Sequence, residues 1–192
     1  NSAVQHYEIG SEESPEKRTH FTMGKIIGSH QDKTRNMAAD ILASYLAGSN
    51  ESPLKKAILE AGLGQDVITG MIDGIAQPWF MLSVRNLDED KTDSLKKLIS
   101  DTIADILKNG IDKMNIKAYI NRMEFQTRMM YEPQGLTRCI CALDSWLYGG
   151  DPLLYLVSDD NFAELRKMAD GNGFEKLLEE IFSDENMCTL VS

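Results

Sequence analysis

The chain has no apolar run approaching the ~20 residues needed to cross a bilayer, so it offers no membrane-spanning helix. Histidine is scarce: only His6, His20 and His30 occur. None stands in an H-E-x-x-H or H-x-x-E-H arrangement, so no helix can present two imidazoles and a carboxylate base to zinc. His6 and His20 fall in strand-like segments and His30 in a loop, and surface or strand-pairing roles account for them. Cysteine is scarce too, with Cys139, Cys141 and Cys188. An odd number in a chain of ordinary size suits reduced thiols and a cytoplasmic or organelle-matrix compartment, not a disulfide framework. Cys139-Ile140-Cys141 lacks the spacer of C-x-x-C sites, and on a helix the two thiols point about 200° apart.

Other absences narrow the chemistry further. The sequence contains no Walker loop, no G-x-G-x-x-G fingerprint and no G-x-S-x-G elbow. Gly62-Leu63-Gly64 follows a helical pattern instead of preceding one, which makes it a helix stop. Asp88-Glu89-Asp90 lacks the spaced ligands and turn glycine of an EF-hand and reads as a solvated turn. Positive charge is in deficit: 20 Lys and Arg against 30 Asp and Glu give a formal net charge of −10. Such a chain is a poor holder of a phosphate backbone, which needs clustered Lys and Arg, so no nucleic-acid partner is expected. The acidity serves solubility and could attract basic peptides. Asn1-Ser2-Ala3-Val4 shows neither a basic n-region nor an apolar h-region, and no initiator Met. That start suits a piece of a longer or processed chain.

What is present is an ordinary globular pattern, with 42% hydrophobic and 26% charged residues over 192 positions. Strands are expected at 3–9 and 18–28, with Phe21, Met23 and Ile27 alternating with Thr22, Gly24 and Gly28. Asp32 can cap a helix whose stripe is Met37, Ala38, Ile41, Leu42, Tyr45 and Leu46, closed by Gly48. Ser52-Pro53 restarts the chain as a helix that stops at Gly62; the Ser hydroxyl can accept from an early N–H. Strands at 66–75 and 78–87 follow, with Pro78 at a strand start. A long helix runs from about Thr92 to Asn109-Gly110, and Asp112 can cap the next, through about Tyr131. Helices at 135–148, 159–169 and 173–182 and a last strand near Met187–Val191 complete the pattern. Consecutive strand pairs favour an α+β fold, mainly antiparallel sheet packed against helices. One domain over 1–192 is expected, sheet-rich in 1–110 and mostly helical in 111–192. Leu143, Trp146 and Leu147 fit a packed stripe, and Trp79, Trp146 and the ten methionines read as core.

Three blocks carry a resemblance. Ser52-Pro53-Leu54-Lys55-Lys56-Ala57-Ile58-Leu59-Glu60-Ala61-Gly62-Leu63-Gly64 resembles the pitrilysin/insulinase superfamily of zinc metallopeptidases, in particular its presequence protease branch. Asn121-Arg122-Met123-Glu124-Phe125-Gln126-Thr127-Arg128, after Gly110-Ile111-Asp112, and Ala142-Leu143-Asp144-Ser145-Trp146-Leu147-Tyr148-Gly149-Gly150-Asp151-Pro152-Leu153 agree, in the family's order. The resemblance implies the second, non-catalytic domain of a four-domain peptidase that closes around a chamber. It implies peptide substrates and the other domains of the parent chain as partners, and zinc held by another domain, with no cofactor in this one. It assigns no catalytic residue here. A scaffold or interaction domain that reuses the fold without a peptidase role remains the alternative.

In relatives such as the insulin-degrading enzymes the second domain holds the substrate's N-terminal segment as an added strand. The stretches that correspond are Leu46-Ala47-Gly48-Ser49 and Ile68-Thr69-Gly70-Met71-Ile72. An open strand edge would offer N–H and C=O groups to any extended peptide. Gly70 would let a foreign backbone approach, and Ile68 and Ile72 would share its face. Gly48 also reads as a helix cap and Gly70 as a bulge.

Overall fold

Alternation is the first thing the fold uses. Along β2 (Thr19–Ile26) Phe21 and Lys25 are buried, with the intervening positions less so, because successive side chains point to opposite faces of a strand. The computed structural model describes residues 2–10, 12, 14, 16–129, 133–183 and 185–192. Among these, β1 (Ser2–Val4), β2, β3 (Asp66–Ile72), β4 (Trp79–Leu87) and β5 (Cys188–Val191) form one five-stranded sheet in the order β1-β5-β2-β4-β3. Every pairing is antiparallel except that of β1 with β5. The fold is therefore the expected α+β arrangement, with the last strand inserted between the first two.

Among the described residues seven helices follow from the apolar spacings: α1 (Lys33–Ala47), α2 (Pro53–Glu60), α3 (Thr92–Asn109), α4 (Lys113–Met129), α5 (Gln134–Trp146), α6 (Asp159–Asp170) and α7 (Gly173–Ile181). A short 3-10 turn, Glu89–Lys91, precedes α3. The expected end of α4 near Tyr131 lies outside the described residues. On the helix-covered face of the sheet, Phe21, Phe80, Leu82, Val84 and Val67 join one core with Leu42, Leu46, Leu54, Ile58 and Leu178. Each such side chain contributes about 1.5–3 kcal/mol on burial. Phe80 meets Phe182 edge to face at 5.7 Å, an arrangement the ring quadrupoles favour.

Helix ends divide into those that local chemistry foretells and those it does not. Asp112 Oδ1 accepts from the N–H groups of Met114 (2.9 Å) and Asn115 (3.2 Å), a side-chain cap on α4. Gly62 sits at φ +65° after α2; its N–H reaches Leu59 O and the N–H of Leu63 reaches Ile58 O, a Schellman closure. Asp32 departs from expectation. Its carboxylate accepts from the Ser29 N–H (2.7 Å) and hydroxyl (2.8 Å) and makes no cap bond to α1. Those same two bonds, main chain first, hold the Asp32 carboxyl below its usual range. Ser52 likewise accepts from the Ser49 N–H at 3.0 Å, not from α2.

The strand expected over 3–9 is confined to β1 because its partner is short. β5 ends at Val191, and the Gln5 N–H to Val191 O contact, 2.8 Å, is the last backbone bond between the two segments. His6 falls outside any strand, and His30 is buried beside Tyr148, with ring centroids 5.4 Å apart, instead of lying on the surface. Lys33, also buried, donates to Leu154 O, Val157 O and Ser158 Oγ at 2.7–2.8 Å. The clamp ties α1 to the loop before α6; burial pulls its ammonium below the usual lysine range.

Candidate peptide-docking edge

β3 is an edge strand: β4 pairs with it on one side, and no other strand pairs with it among the described residues. Its inner face is fixed. Val67 is buried, Met71 packs against the core, and Thr69 Oγ1 donates to the carbonyl of Ala43 in α1 at 2.7 Å. Alternation then sends Ile68, Gly70 and Ile72 to the opposite face. Ile72 is 38% exposed, and a Cβ built on Gly70 would have no atom within 4 Å. Gly70 faces Met81 in regular register, so it is not a bulge.

On the face to which these residues belong, Thr22, Gly24, Ile68, Gly70, Trp79 and Met81 are each partly exposed. Register places Trp79 and Met81 of β4 beside Ile72 and Gly70, and Ile26 and Gly24 of β2 on their far side. The Trp79 ring lies over Gly24, where an added Cβ would come within 2.8 Å of it. Next to this ring a shallow depression of about 330 Å³ is lined by Thr22, Ile26, Trp79, Cys188 and Leu190. Trp79 is therefore half-buried on this face and not the core residue its type suggests. Its signal was present in the alternation but not in its orientation.

The two candidate stretches do not behave alike. Leu46 and Ala47 lie in the last turn of α1 and are buried. Their backbone groups belong to a helix. Gly48 closes the helix with φ −68° and donates to Ser44 O, and Gly48 and Ser49 are exposed. Only Ile68–Ile72 presents an extended edge.

Acidic groups gather beyond the Ile72 end of that edge. Burial, and then the Asp73 carboxylate, push the Asp40 carboxyl above its ordinary value, and the same two causes act on Asp144. Burial and then Asp144 push the Cys141 thiol up, which leaves it a poor nucleophile. At the other end Asp66 meets Lys55 at 3.5 Å. Among the described residues no group of three or more His, Cys, Asp or Glu could hold a metal ion. The arrangement can pair with a backbone and bias local charge.

The Peptidase M16 inactive domain family matches residues 4–123. The chain belongs to the M16 inactive-domain family. This M16 domain is 34% identical over 189 residues to Protein HypA of Clostridium perfringens, covering 97% of this chain and 19% of that protein. It is 25% identical over 155 residues to the mitochondrial presequence protease of Xenopus tropicalis, covering 80% and 15%. The M16 domain thus spans about a fifth of the length of HypA and less of the presequence protease. Among solved structures, a protease from Helicobacter pylori superposes with a TM-score of 0.72 at 14% identity, over 99% of this chain and 43% of that one, a likeness of fold. No helix among the described residues is long and apolar enough to cross a membrane.

Proposed function

We propose that this domain serves a longer zinc-dependent metallopeptidase as a non-catalytic chamber wall, and that the β3 edge anchors extended peptide substrates. The zinc and its ligands belong to another domain of that chain. One observation carries the reading: an edge strand held from behind by α1, with Ile68, an unobstructed Gly70 and Ile72 facing outward. A peptide added there gains main-chain hydrogen bonds whatever its sequence, which suits an enzyme that degrades many peptides. Relatives named presequence proteases support the peptide substrate class, and the net charge of −10 supports a bias toward basic ones. Three free cysteines support a reducing compartment, cytoplasm or organelle matrix.

The test is Gly70→Val in the full-length enzyme. Valine fits the strand itself, because the space is open and β-branched side chains suit strands. Its side chain crowds that of the peptide residue paired with position 70, since directly opposed Cβ atoms stand about 4.5–5.5 Å apart. kcat/KM for long peptides falls while that for short peptides, which reach only the zinc site, is unchanged. Equal losses on both, or none on either, remove β3 from the mechanism.

A further inference from the structure

α5 is built inside out. Its inward positions are Thr137, Cys141, Asp144 and Ser145, of which only Ser145 is fully buried. Leu136, Ile140 and Leu143 of α5 and Leu147 just after it, spaced i, i+4, i+7 and i+11, share one stripe roughly a third of a turn from the inward positions and are 37–67% exposed. Trp146 flanks the stripe and is 63% exposed. The expectation that Leu143, Trp146 and Leu147 form a packed stripe against this domain is therefore corrected. Their spacing is that of a packed face, but the face turns away from the core. One polar bond helps hold this orientation: Tyr148 Oη, just past the helix, donates to Gly74 O at 3.0 Å, and Asp144 lies beside Gly74.

An amphipathic helix that turns its polar side to its own domain has its apolar side left for another surface. Five side chains are far fewer than the roughly 20–30 residues per side of a free-standing complex. A covalently tethered surface does not need that area, because the tether replaces concentration. The relatives supply such a surface in principle: about four-fifths of HypA lies outside the stretch this chain matches. We infer that the outward stripe of α5 is an interdomain contact, covered by an apolar surface elsewhere in the same parent polypeptide. The inference rests on the reading of this chain as one domain of a longer enzyme. The docked surface fixes α5, and through Asp144 and Tyr148 the loop after β3, so that it also sets the end of the peptide edge.

Cys139 is exposed among these residues and is a built-in probe. Its alkylation by N-ethylmaleimide is followed by tandem mass spectrometry in the 192-residue chain and in the full-length parent. The account expects Cys139 to react at least about tenfold more slowly in the parent, where only local opening uncovers it. Ile140→Glu combined with Leu143→Glu in the parent restores the fast rate, while the same pair leaves the melting temperature of the isolated chain unchanged. Equal rates in chain and parent overturn the inference. So does protection in the isolated chain that grows with concentration, which assigns the stripe to a second copy. Peptide hydrolysis is scored separately in the same parent. Turnover with an accessible Cys139 sinks this inference alone; protection without turnover sinks the peptidase reading and leaves the contact standing.

Discussion

Thr69 Oγ1 donates a 2.7 Å hydrogen bond to the carbonyl of Ala43. The bond joins the inner face of β3 to the C-terminal part of α1. It matters because β3, as an edge strand, has a neighbouring strand on one side only among the described residues. Thr69→Val keeps the shape of the side chain and removes this bond. Net stability should fall by about 1 kcal/mol, or about 2–4 °C in melting temperature for a chain of this size. Thermal unfolding followed by circular dichroism measures it. A variant as stable as the wild type would show that the bond contributes nothing to holding the edge.

Two glycines should respond in opposite ways. Gly62 stands at φ +65° in the closure of α2, where a Cβ meets the following carbonyl and costs roughly 1–2 kcal/mol. Gly62→Ala should destabilise by that amount. Gly70 lies in a regular strand pairing with free space around its missing side chain. Gly70→Ala should leave stability within about 0.5 kcal/mol or raise it, since alanine reduces the entropy of the unfolded chain. Urea unfolding of both variants decides the matter. A large loss at Gly70 would mean that the strand needs glycine for its own backbone, not for a visitor.

Asp40 predicts a particular dependence on pH. Burial first, and Asp73 second, raise its carboxyl above the ordinary 3.8 in the folded state. As pH climbs through the unfolded value of about 3.9, the unfolded chain releases its proton first. The folded chain holds its own until the raised value is passed. Stability from this group is therefore fully present at low pH and is lost as pH rises through the folded value. Asp40→Asn removes the loss. Its melting temperature should match the wild type near pH 3 and exceed it at pH 7. A wild type that is the more stable at pH 7 would show that the ionised carboxylate is favoured in place.

Local chemistry was legible wherever a residue answers to its own neighbours in sequence. Gly62 stops a helix and Asp112 starts one, as their types and positions imply. Asp32 was misread because Ser29, three residues earlier, competes for its carboxylate. The strand expected over 3–9 was too long because its limit lies in Val191, at the far end of the chain. Alternation through Ile68, Gly70 and Ile72 was visible, but their place on an edge follows from the sheet order and not from any local signal. The stripe of α5 was equally visible. Spacing shows that Leu136, Ile140, Leu143 and Leu147 share a face; it does not show which way the face turns. Leu46 and Ala47 were paired with β3 by resemblance alone, and burial in α1 leaves their backbone committed to the helix.

The central claim is that β3 takes an extended peptide as an added strand. Amide hydrogen exchange tests it most directly, in the full-length enzyme stripped of zinc so that a bound peptide is not cut. With a long basic peptide present, amides within Ile68–Ile72 that face the open edge should exchange more slowly, because an added strand gives them partners. Gly70→Val should weaken that protection, most for a peptide with a bulky residue opposite position 70, while exchange in β2 and β4 stays as it was. Protection of other segments by the peptide, with Ile68–Ile72 unchanged, would contradict the account.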